Sequence, residues 1–459
     1  MKKLIIFPVI FLLSVSLSGQ NILDNYINQG LESNLMIKQK KADYEKSIYV
    51  LKEAKGYFMP SLSINARYSI AEGGRTFYIP IGDMLNPVYY TLNLISSRMY
   101  ELGLAEQIFP NITVDNQTIE FLRPTEQETK AQLVQPIFNP QIYYNNKIKT
   151  ELVNASQYNL ETYQRQLVAD IKTAYYNYLS TIEGLELIEK TRLLLDENIR
   201  VNEKLLENDK VTIDAVYRSR TELSKLEEIK AETEKNHQMA KSYFNFLLNR
   251  PLDTLIVVQD TGEINPVLVD LASGTQTALE NRAEIDMLNS YSKATDLNVK
   301  MNKTNNWPTI FGVVDYGFQG EEYIFNDDYD FAMASFILKW DLFKGFQNKA
   351  KLQQAVIDKE NLDYRKEELE KQISLQVLNA YYDLEAAFKK TLRAADQVKY
   401  TESTFKIIDK KYREGQANLL EFIDARTGMT SAKQNLILAK LNYKIKLTEY
   451  EKVTGAYTL

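Results

Sequence analysis

The sequence predicts a mainly α-helical protein built from a duplicated strand and long-helix unit, with four membrane-crossing strands in each chain. Three observations support this fold class. Prolines are missing from two long tracts, short alternating segments precede those tracts, and the two halves of the chain match one another. Four strands are too few to close a β-barrel, for which about eight are the practical minimum, so several copies must share one. Three copies give about twelve strands, an even number that such barrels use, although strand arithmetic alone also permits two or four copies.

The chain begins with the pattern of an export signal. Lys2 and Lys3 precede a short apolar run, and small residues follow it up to Gly19. This order predicts a secretory signal peptide over 1–19. Beyond residue 20 there is no run of about 18 apolar residues, so no membrane-spanning helix is expected. A periplasmic, a secreted and a barrel-forming protein all remain compatible with this.

Composition excludes several classes of function. The net charge is −6 and the chain has no cysteine, so neither nucleic-acid binding nor a thiolate metal site is expected. His237 is the only histidine and falls on a helix seam, which predicts packing and excludes a histidine-based metal cluster or catalytic triad. We predict no cofactor and no enzymatic activity. The 30 tyrosines fit either membrane-interface girdles or large helix interfaces.

The proline distribution predicts the helices. No proline occurs from 141 to 250 or from 309 to the end, and proline breaks helix interiors. A helix over 141–209 would be a rod of roughly 100 Å, too long for a compact globule. Apolar residues recur near a period of about 3.5, so each helix is expected to pack along its sides. The predicted helices are 22–58, 141–209, 211–249, 276–305, 347–414 and 417–454.

The order of elements repeats along the chain. The run Ala-Tyr-Tyr at 174–176 recurs at 380–382, an offset of 206, and Pro60 recurs as Pro308, an offset of 248. Ordered matches of this kind indicate an internal duplication. The predicted organisation is a first repeat over 20–250, a linker over 251–275 and a second repeat over 276–459.

An alternating segment follows each of the two repeated prolines. Leu62 and Ile64 alternate with polar residues in the first, and Val314 belongs to the apolar series of the second. A period of two indicates strands with one apolar and one wetter face, and about ten residues cross a bilayer at a tilt. The predicted strands are about 60–70, 129–138, 308–318 and 331–343. We expect Leu62, Ile64, Val314 and Phe336 to face lipid; the alternative is a soluble sandwich, for which no covering strands are found.

The two connections between paired strands differ in length. The first separates Ile70 from Thr129 by 59 positions, and the second separates Phe318 from Ala334 by 16. The longer one is predicted to be an outer loop over 71–128 that covers the mouth, constricts it or binds a partner, because the outer loops of such barrels are long. The shorter one is acidic and forms either a cation-binding rim or a solvated loop.

The turn between the last two predicted helices carries the most specific pattern in the chain. It reads KYREGQANLLEFIDAR at 411–426, in which Gly415 follows Tyr412 by three positions and the acids Glu421 and Asp424 are spaced by three. Residues 338–345 add the form of a last strand entering a long helix. Together these patterns resemble the TolC family of outer-membrane efflux proteins, and the likeness extends over essentially the whole mature chain.

The resemblance implies a trimeric 12-strand β-barrel in the outer membrane, continued by a 12-helix α-barrel in the periplasm. It also implies a passive exit duct of a tripartite efflux or type I secretion system. Such a homotrimer contacts outer-membrane lipid and docks onto a periplasmic adaptor (membrane fusion protein) and an inner-membrane pump. By the same resemblance, Tyr412, Gly415, Glu421 and Asp424 form the constriction at the periplasmic tip. Gly415 also fits an ordinary helix stop, and the two acids also fit the first turns of a helix.

The first-repeat tip departs from this pattern. It contains Asp209 and Asp214 but no glycine, and Arg218 stands where the second repeat has Asp424. Arg218 is expected to pair with an acid on a neighbouring helix. In the second repeat, Ala417 replaces a basic residue that some family members carry two positions after the glycine.

Two other classes of protein compete with the duct. A structural or adhesive coiled-coil protein of the cell surface would share the long helices. A periplasmic adaptor with a helical hairpin is disfavoured, because the small β-domains of adaptors are not found in the sequence.

Overall fold

The computed structural model describes residues 22–106, 110–259 and 269–456. The predicted signal peptide and residues 260–268 of the predicted linker lie outside these ranges. The chain divides into two compact units. The helical unit comprises the described residues up to Lys52, Tyr144–Asn302 and those from Lys349 on, and the strand unit comprises Glu53–Tyr143 and Lys303–Asn348.

Long helices dominate the described residues. In chain order they are α1 (Ile22–Ser33), α2 (Leu35–Gly56), α3 (Ile81–Glu101), α4 (Pro140–Glu207), α5 (Ile213–Leu247), α6 (Leu271–Asn281), α7 (Ala283–Lys303), α8 (Gln347–Arg413) and α9 (Leu419–Thr454). Helices α4 and α8 have 68 and 67 residues, so the longest element of each repeat has nearly the same length. None of the described helices is both long and apolar enough to cross a membrane.

Two of the predicted helices are broken at equivalent places. The helix predicted over 22–58 divides at Asn34, and the one predicted over 276–305 divides at Arg282, 248 positions later. The side-chain oxygen of Asn34 accepts the amides of Met36 and Ile37 at 2.9 and 3.2 Å. An asparagine that caps the next helix in this way starts a new element. The prediction of one continuous helix was therefore wrong in both repeats.

Hydrogen-bonded turns end the long helices at positions 206 residues apart. Asp209 and Asn249 in the first repeat have positive φ, as do Gly415 and Gly455 in the second. In each turn, the amide of the following residue bonds back to a carbonyl of the last helical turn. This is the Schellman geometry, which glycine adopts without steric cost. The first repeat keeps the backbone conformation while using aspartate and asparagine.

Each repeat has its own apolar core in the helical unit. The first core lies between α1, α2, α4 and α5, and the second between α6, α8 and α9. Their members correspond at the offset of 206: Leu167, Ile171, Ala174, Phe244 and Leu247 match Ile373, Val377, Ala380, Tyr450 and Val453. The predicted duplication is thus confirmed, because the same positions make the same packing twice.

The strand unit contains one large sheet and one short hairpin. Its described strands are β1 (Ser61–Ile70), β2 (Thr76–Ile79), β3 (Gln117–Glu120), β4 (Thr125–Phe138), β5 (Thr309–Gly320) and β6 (Asp330–Lys339). The sheet has the antiparallel order β1-β4-β5-β6, and β2 pairs with β3. Strands β1 and β6 are therefore the sheet edges.

The connection between β1 and β4 is not the plain loop predicted over 71–128. It contains α3 and the hairpin β2–β3, and β4 already begins at Thr125. Pro80 immediately precedes α3, and Pro87 lies within it. Hydrogen bonds with Val114 and Asn116 support this helix inside the long connection.

Candidate functional site

A buried polar network joins the end of α8 to the last turns of α4 and the first turns of α5. Tyr412 donates its hydroxyl hydrogen to the side-chain oxygen of Asn202. Asn202 donates to Ser219 Oγ at 2.7 Å, and Ser219 donates to the side-chain oxygen of Asn198 at 2.8 Å. All four side chains are at most 4% exposed. We call these four residues the tip network; it ties α8 to both α4 and α5.

Tyr412 packs between helices and does not project into an opening. Its ring lies 4.9 Å from that of Phe422 on α9, centroid to centroid. Burial raises the pKa of Tyr412, and the hydrogen bond with Asn202 opposes that rise only in part. The phenol therefore stays neutral and acts as a hydrogen-bond donor. Within the single chain, Tyr412 is therefore an interhelical contact, and its part in a constriction stays a prediction.

A second buried contact joins α5 to α9. Arg426 is paired with Glu222 at 2.8 Å, and the Arg426 side chain is only 6% exposed. Burial alone would raise the pKa of Glu222, but hydrogen bonds from Lys225 and Arg426 and their positive charges outweigh it and lower that pKa. Sequence reasoning missed this pair, because the partners are 204 positions apart. With the tip network, it connects all four long helices.

The predicted acids Glu421 and Asp424 are both exposed. Asn418 accepts the backbone amide of Glu421 at 2.9 Å and donates to its carboxylate at 3.1 Å. Asn418 is thus the N-cap of α9, and its side-chain amide also holds the Glu421 carboxylate beside the start of the helix. Glu421 thus has a local role in the helix, and its carboxylate remains accessible. Gly415 occupies the left-handed position after α8, with a φ of 73°.

The first-repeat tip is held by contacts within its own segment. Asp209 takes the position that corresponds to Gly415, with a φ of 56°. Arg218 pairs with Asp214 on the same helix at 3.5 Å. Within the chain, the partner of Arg218 is therefore not on a neighbouring helix, as had been expected. Both side chains are more than 60% exposed, and exposed pairs of this kind contribute little stability.

One face of the sheet is apolar. Leu62 is in register with Leu133, which in turn is in register with Val314. Ile64 lies two residues along β1, and Phe336 is paired with a residue two positions from Val314, so all four predicted lipid-facing residues share this face. They are 48–83% exposed. An uncovered apolar surface of this kind marks a contact with lipid or protein.

The opposite face of the sheet is charged and hydrogen-bonded. Lys130 lies 2.7 Å from Glu128 and 3.7 Å from Asp315. Gln132 donates to Asp315 at 2.9 Å. The carboxylate of Asp315 is thus surrounded by donors, and the sheet separates a polar from an apolar side.

Aromatic rings gather at the loop end of the apolar face. Tyr68 stacks on Tyr323 with centroids 5.8 Å apart, and Phe318 meets Phe325 edge-on at 5.1 Å. Other tyrosines, such as Tyr443, are buried in the helical cores. Both explanations of the tyrosine content therefore apply. Among the described residues, including the acidic β5–β6 connection, no group of three or more histidine, cysteine or acidic side chains is placed to hold a metal ion.

His237 packs between α5 and α4. Its ring stacks on that of Tyr178 at 4.9 Å, and its Nδ1 lies 2.9 Å from Thr181 Oγ1. Burial lowers the pKa of His237, and the positive charge of Lys241 lowers it further. The side chain is a packing residue, as its position on the helix seam predicted.

The fold, in which two strands and a long helix occur twice in one chain and the four strands form one sheet, is similar to that of solved outer-membrane channels. The channel OprN matches with a TM-score of 0.76 at 15% identity, over 95% of this chain and 90% of its own. CmeC of Campylobacter jejuni matches with a TM-score of 0.75 at 14% identity, over 95% of this chain and 85% of its own. VceC of Vibrio cholerae matches with a TM-score of 0.74 at 12% identity, over 94% of this chain and 96% of its own. These likenesses confirm the predicted fold class.

The sequence itself carries the family pattern in its second repeat. Residues 274–456 match the model of the outer membrane efflux protein family. The predicted resemblance to outer-membrane efflux proteins is therefore confirmed. No curated protein sequence matches the chain.

Proposed function

We propose that the protein is the outer-membrane exit duct of a tripartite efflux or type I secretion system. It acts as a passive conduit, with its sheet in the outer membrane and its helices in the periplasm. The observation that carries this proposal is the four-stranded sheet with two open edges, one apolar face and one polar face. Such a sheet satisfies its edges and covers its apolar face only in an assembly surrounded by lipid.

A homotrimer fits the strand count. In three copies, each β1 edge pairs with the β6 edge of a neighbour, and about twelve strands close into a barrel. The apolar face then meets lipid, and the face with Lys130 and Asp315 lines water. Strands β1 and β5 follow helices in the chain, and β4 and β6 precede them. The chain therefore enters β1 and β5 and leaves β4 and β6 at the same end of the sheet.

The tip of the helical unit is the proposed gate. The tip network and the Arg426–Glu222 pair hold four helices together, and the exposed Glu421 and Asp424 face the narrowed opening. Rings of like charge at a constriction attract cations and repel anions. Periplasmic adaptor and inner-membrane pump are the proposed partners, since a passive duct draws its energy from elsewhere. No catalytic residue is assigned.

The location and the assembly are tested together. Extracted from the outer membrane in mild detergent, the protein is expected to migrate as three chains and to fall to one chain after heating. A monomer recovered from the soluble periplasm would refute the proposal. It would favour the competing coiled-coil interpretation instead.

The facing of the sheet is tested by matched arginine substitutions on adjacent residues. Leu62→Arg places a charge on the apolar face, where it costs about 2–4 kcal/mol at mid-membrane, so loss of trimer from the outer membrane is expected. Ser63→Arg, one residue along on the polar face, is expected to assemble normally. Equal tolerance of both variants would show that the facing is wrong.

A further inference from the structure

Helix α3 carries an apolar seam that the described residues of its own chain leave exposed. Apolar residues recur along it with alternating spacings of four and three, at Ile81, Leu85, Val88, Leu92, Ile95 and Met99. From Leu85 to Met99 these side chains are 39–54% exposed. A strict alternation of this kind has a period of about 3.5, which is the seam of a coiled coil.

A different side of α3 is docked on its own chain. Asn86 accepts the backbone amide of Val114 and donates to its carbonyl, both at 2.9 Å. A Cβ at Gly82 would lie 2.3 Å from the carbonyl oxygen of Val114, so only glycine permits this close approach. Asn116 accepts the amide of Asp83 at 3.0 Å and so caps the start of the helix. Small and polar residues thus fix α3 to residues 114–116, and the seam is left for another partner.

We propose that the seams of α3 from three copies of this chain pack together into a parallel three-helix bundle. This inference rests on the proposed trimer. Three copies of α3 related by a threefold axis have the same sense along that axis, and in the proposed bundle their identical seams face it. The seam places leucine or methionine at one set of alternating core positions and isoleucine or valine at the other. Leucine at position a with isoleucine at position d favours three or four strands over two.

A lipid surface is the less favoured occupant. Membrane-surface helices bury a broad apolar face and carry basic residues on the polar one. Helix α3 also exposes Met84 and Leu94 outside the seam, but Arg98 is its only basic residue. An anionic lipid surface would therefore gain little from this helix, whereas the seam spacing is what a neighbouring helix requires.

The position of α3 gives the bundle a role. The segment that contains it leaves β1 at Ile70 and returns to β4 at Thr125, which are paired at one end of the sheet. The long helices join the other end. In the proposed trimer, the bundle therefore stands over the mouth of the barrel at the end of the sheet where β1 and β4 connect to it, and restricts that mouth.

Single cysteines test the bundle, because the chain has none of its own. Leu92→Cys places a thiol in the seam, and Tyr90→Cys places one on the exposed side away from it (Tyr90 is 67% exposed). Each variant is oxidised with copper-phenanthroline as the detergent-extracted full chain and separated without reductant after heating. The expected result is a strong two-chain band for Leu92→Cys and little or none for Tyr90→Cys.

The outcomes separate this inference from the proposed function. If both variants form the heat-sensitive trimer but Leu92→Cys cross-links no better than Tyr90→Cys, the bundle is refuted while the duct stands. If neither they nor the unmodified chain forms a trimer, the duct and the bundle fail together. A bimane label at Leu92→Cys that brominated phospholipid quenches more strongly than the label at Tyr90→Cys would show lipid contact and overturn the bundle.

Conductance provides an independent readout. Val88→Asp puts a charge in the seam, so the bundle is expected to open and single-channel conductance in planar bilayers to rise above that of the unmodified trimer. Thr91→Asp places the same charge on an exposed position of α3 outside the seam and is expected to leave conductance unchanged. Equal conductance in Val88→Asp, Thr91→Asp and the unmodified trimer would contradict a restriction at this mouth.

Discussion

Replacing Tyr412 with phenylalanine isolates the contribution of one hydrogen bond to the proposed gate. The substitution keeps the ring and its contact with Phe422, and it removes only the hydroxyl that donates to Asn202. Asn202 is fully buried, and among the described residues no other group donates to its side-chain oxygen. Leaving a buried acceptor without a partner costs about 1–3 kcal/mol.

That cost converts into a measurable change in opening. If the bond between α8 and α4 breaks when the tip opens, Tyr412→Phe shifts the equilibrium toward the open state by about 5- to 150-fold per chain. Single-channel recordings in planar bilayers measure this as a higher open probability. Heat dissociation of the trimer checks that assembly itself is retained.

A matched control lies on the same helix. Tyr400 is 67% exposed, so Tyr400→Phe removes a hydroxyl that water already solvates and should leave gating unchanged. The reasoning is refuted if Tyr412→Phe and Tyr400→Phe open equally often. In that case the tip network stabilises the helices without contributing to closure.

Three further predictions concern the turns, the exposed acids and the histidine. Gly415→Ala should lower the free energy of unfolding by about 1–2 kcal/mol because alanine resists a positive φ, whereas Asp209→Gly should raise it by a smaller amount. A gain for Gly415→Ala or a loss for Asp209→Gly in calorimetry would contradict the shared turn geometry. Replacing both Glu421 and Asp424 with alanine should reduce cation selectivity, measured as the reversal potential in a salt gradient, and an unchanged value would leave these acids with a helix-start role only. Burial lowers the pKa of His237 below its usual value of 6.5. The contribution of the neutral imidazole to stability is therefore present above pH 6.5 and is lost as the pH falls through the folded pKa. The melting temperature of the unmodified protein should drop more steeply below pH 6.5 than that of His237→Gln.

Local pattern was sufficient to predict the elements that have a strong period. The alternation around Leu62 and Val314 predicted two strands whose apolar residues share a face, and the register places them in one row. The absence of proline after residue 308 allowed α8 and α9, and both are present at full length. In these segments a single period decides the structure.

Elements that depend on distant partners were not predicted. Helix α3 contains Pro87, and its support comes from hydrogen bonds between Asn86 and Val114, 28 positions away. The burial of Tyr412 depends on Asn202, 210 positions away, so a motif that suggested a constriction could not show that the ring points between helices. Sequence patterns report which face is apolar, but they do not report which polar side chain meets which.

The two open sheet edges make maturation of the protein a matter of concentration and time. If the protein is the duct proposed above, a newly exported chain presents β1 along Ser61–Ile70 and β6 along Asp330–Lys339 as open edges, and exposed strand edges pair readily with other chains. While the chain is single, assembly with further copies therefore competes with aggregation through the same edges. Dilution should slow the appearance of the mature species more steeply than it slows export, because the final step requires several copies to meet.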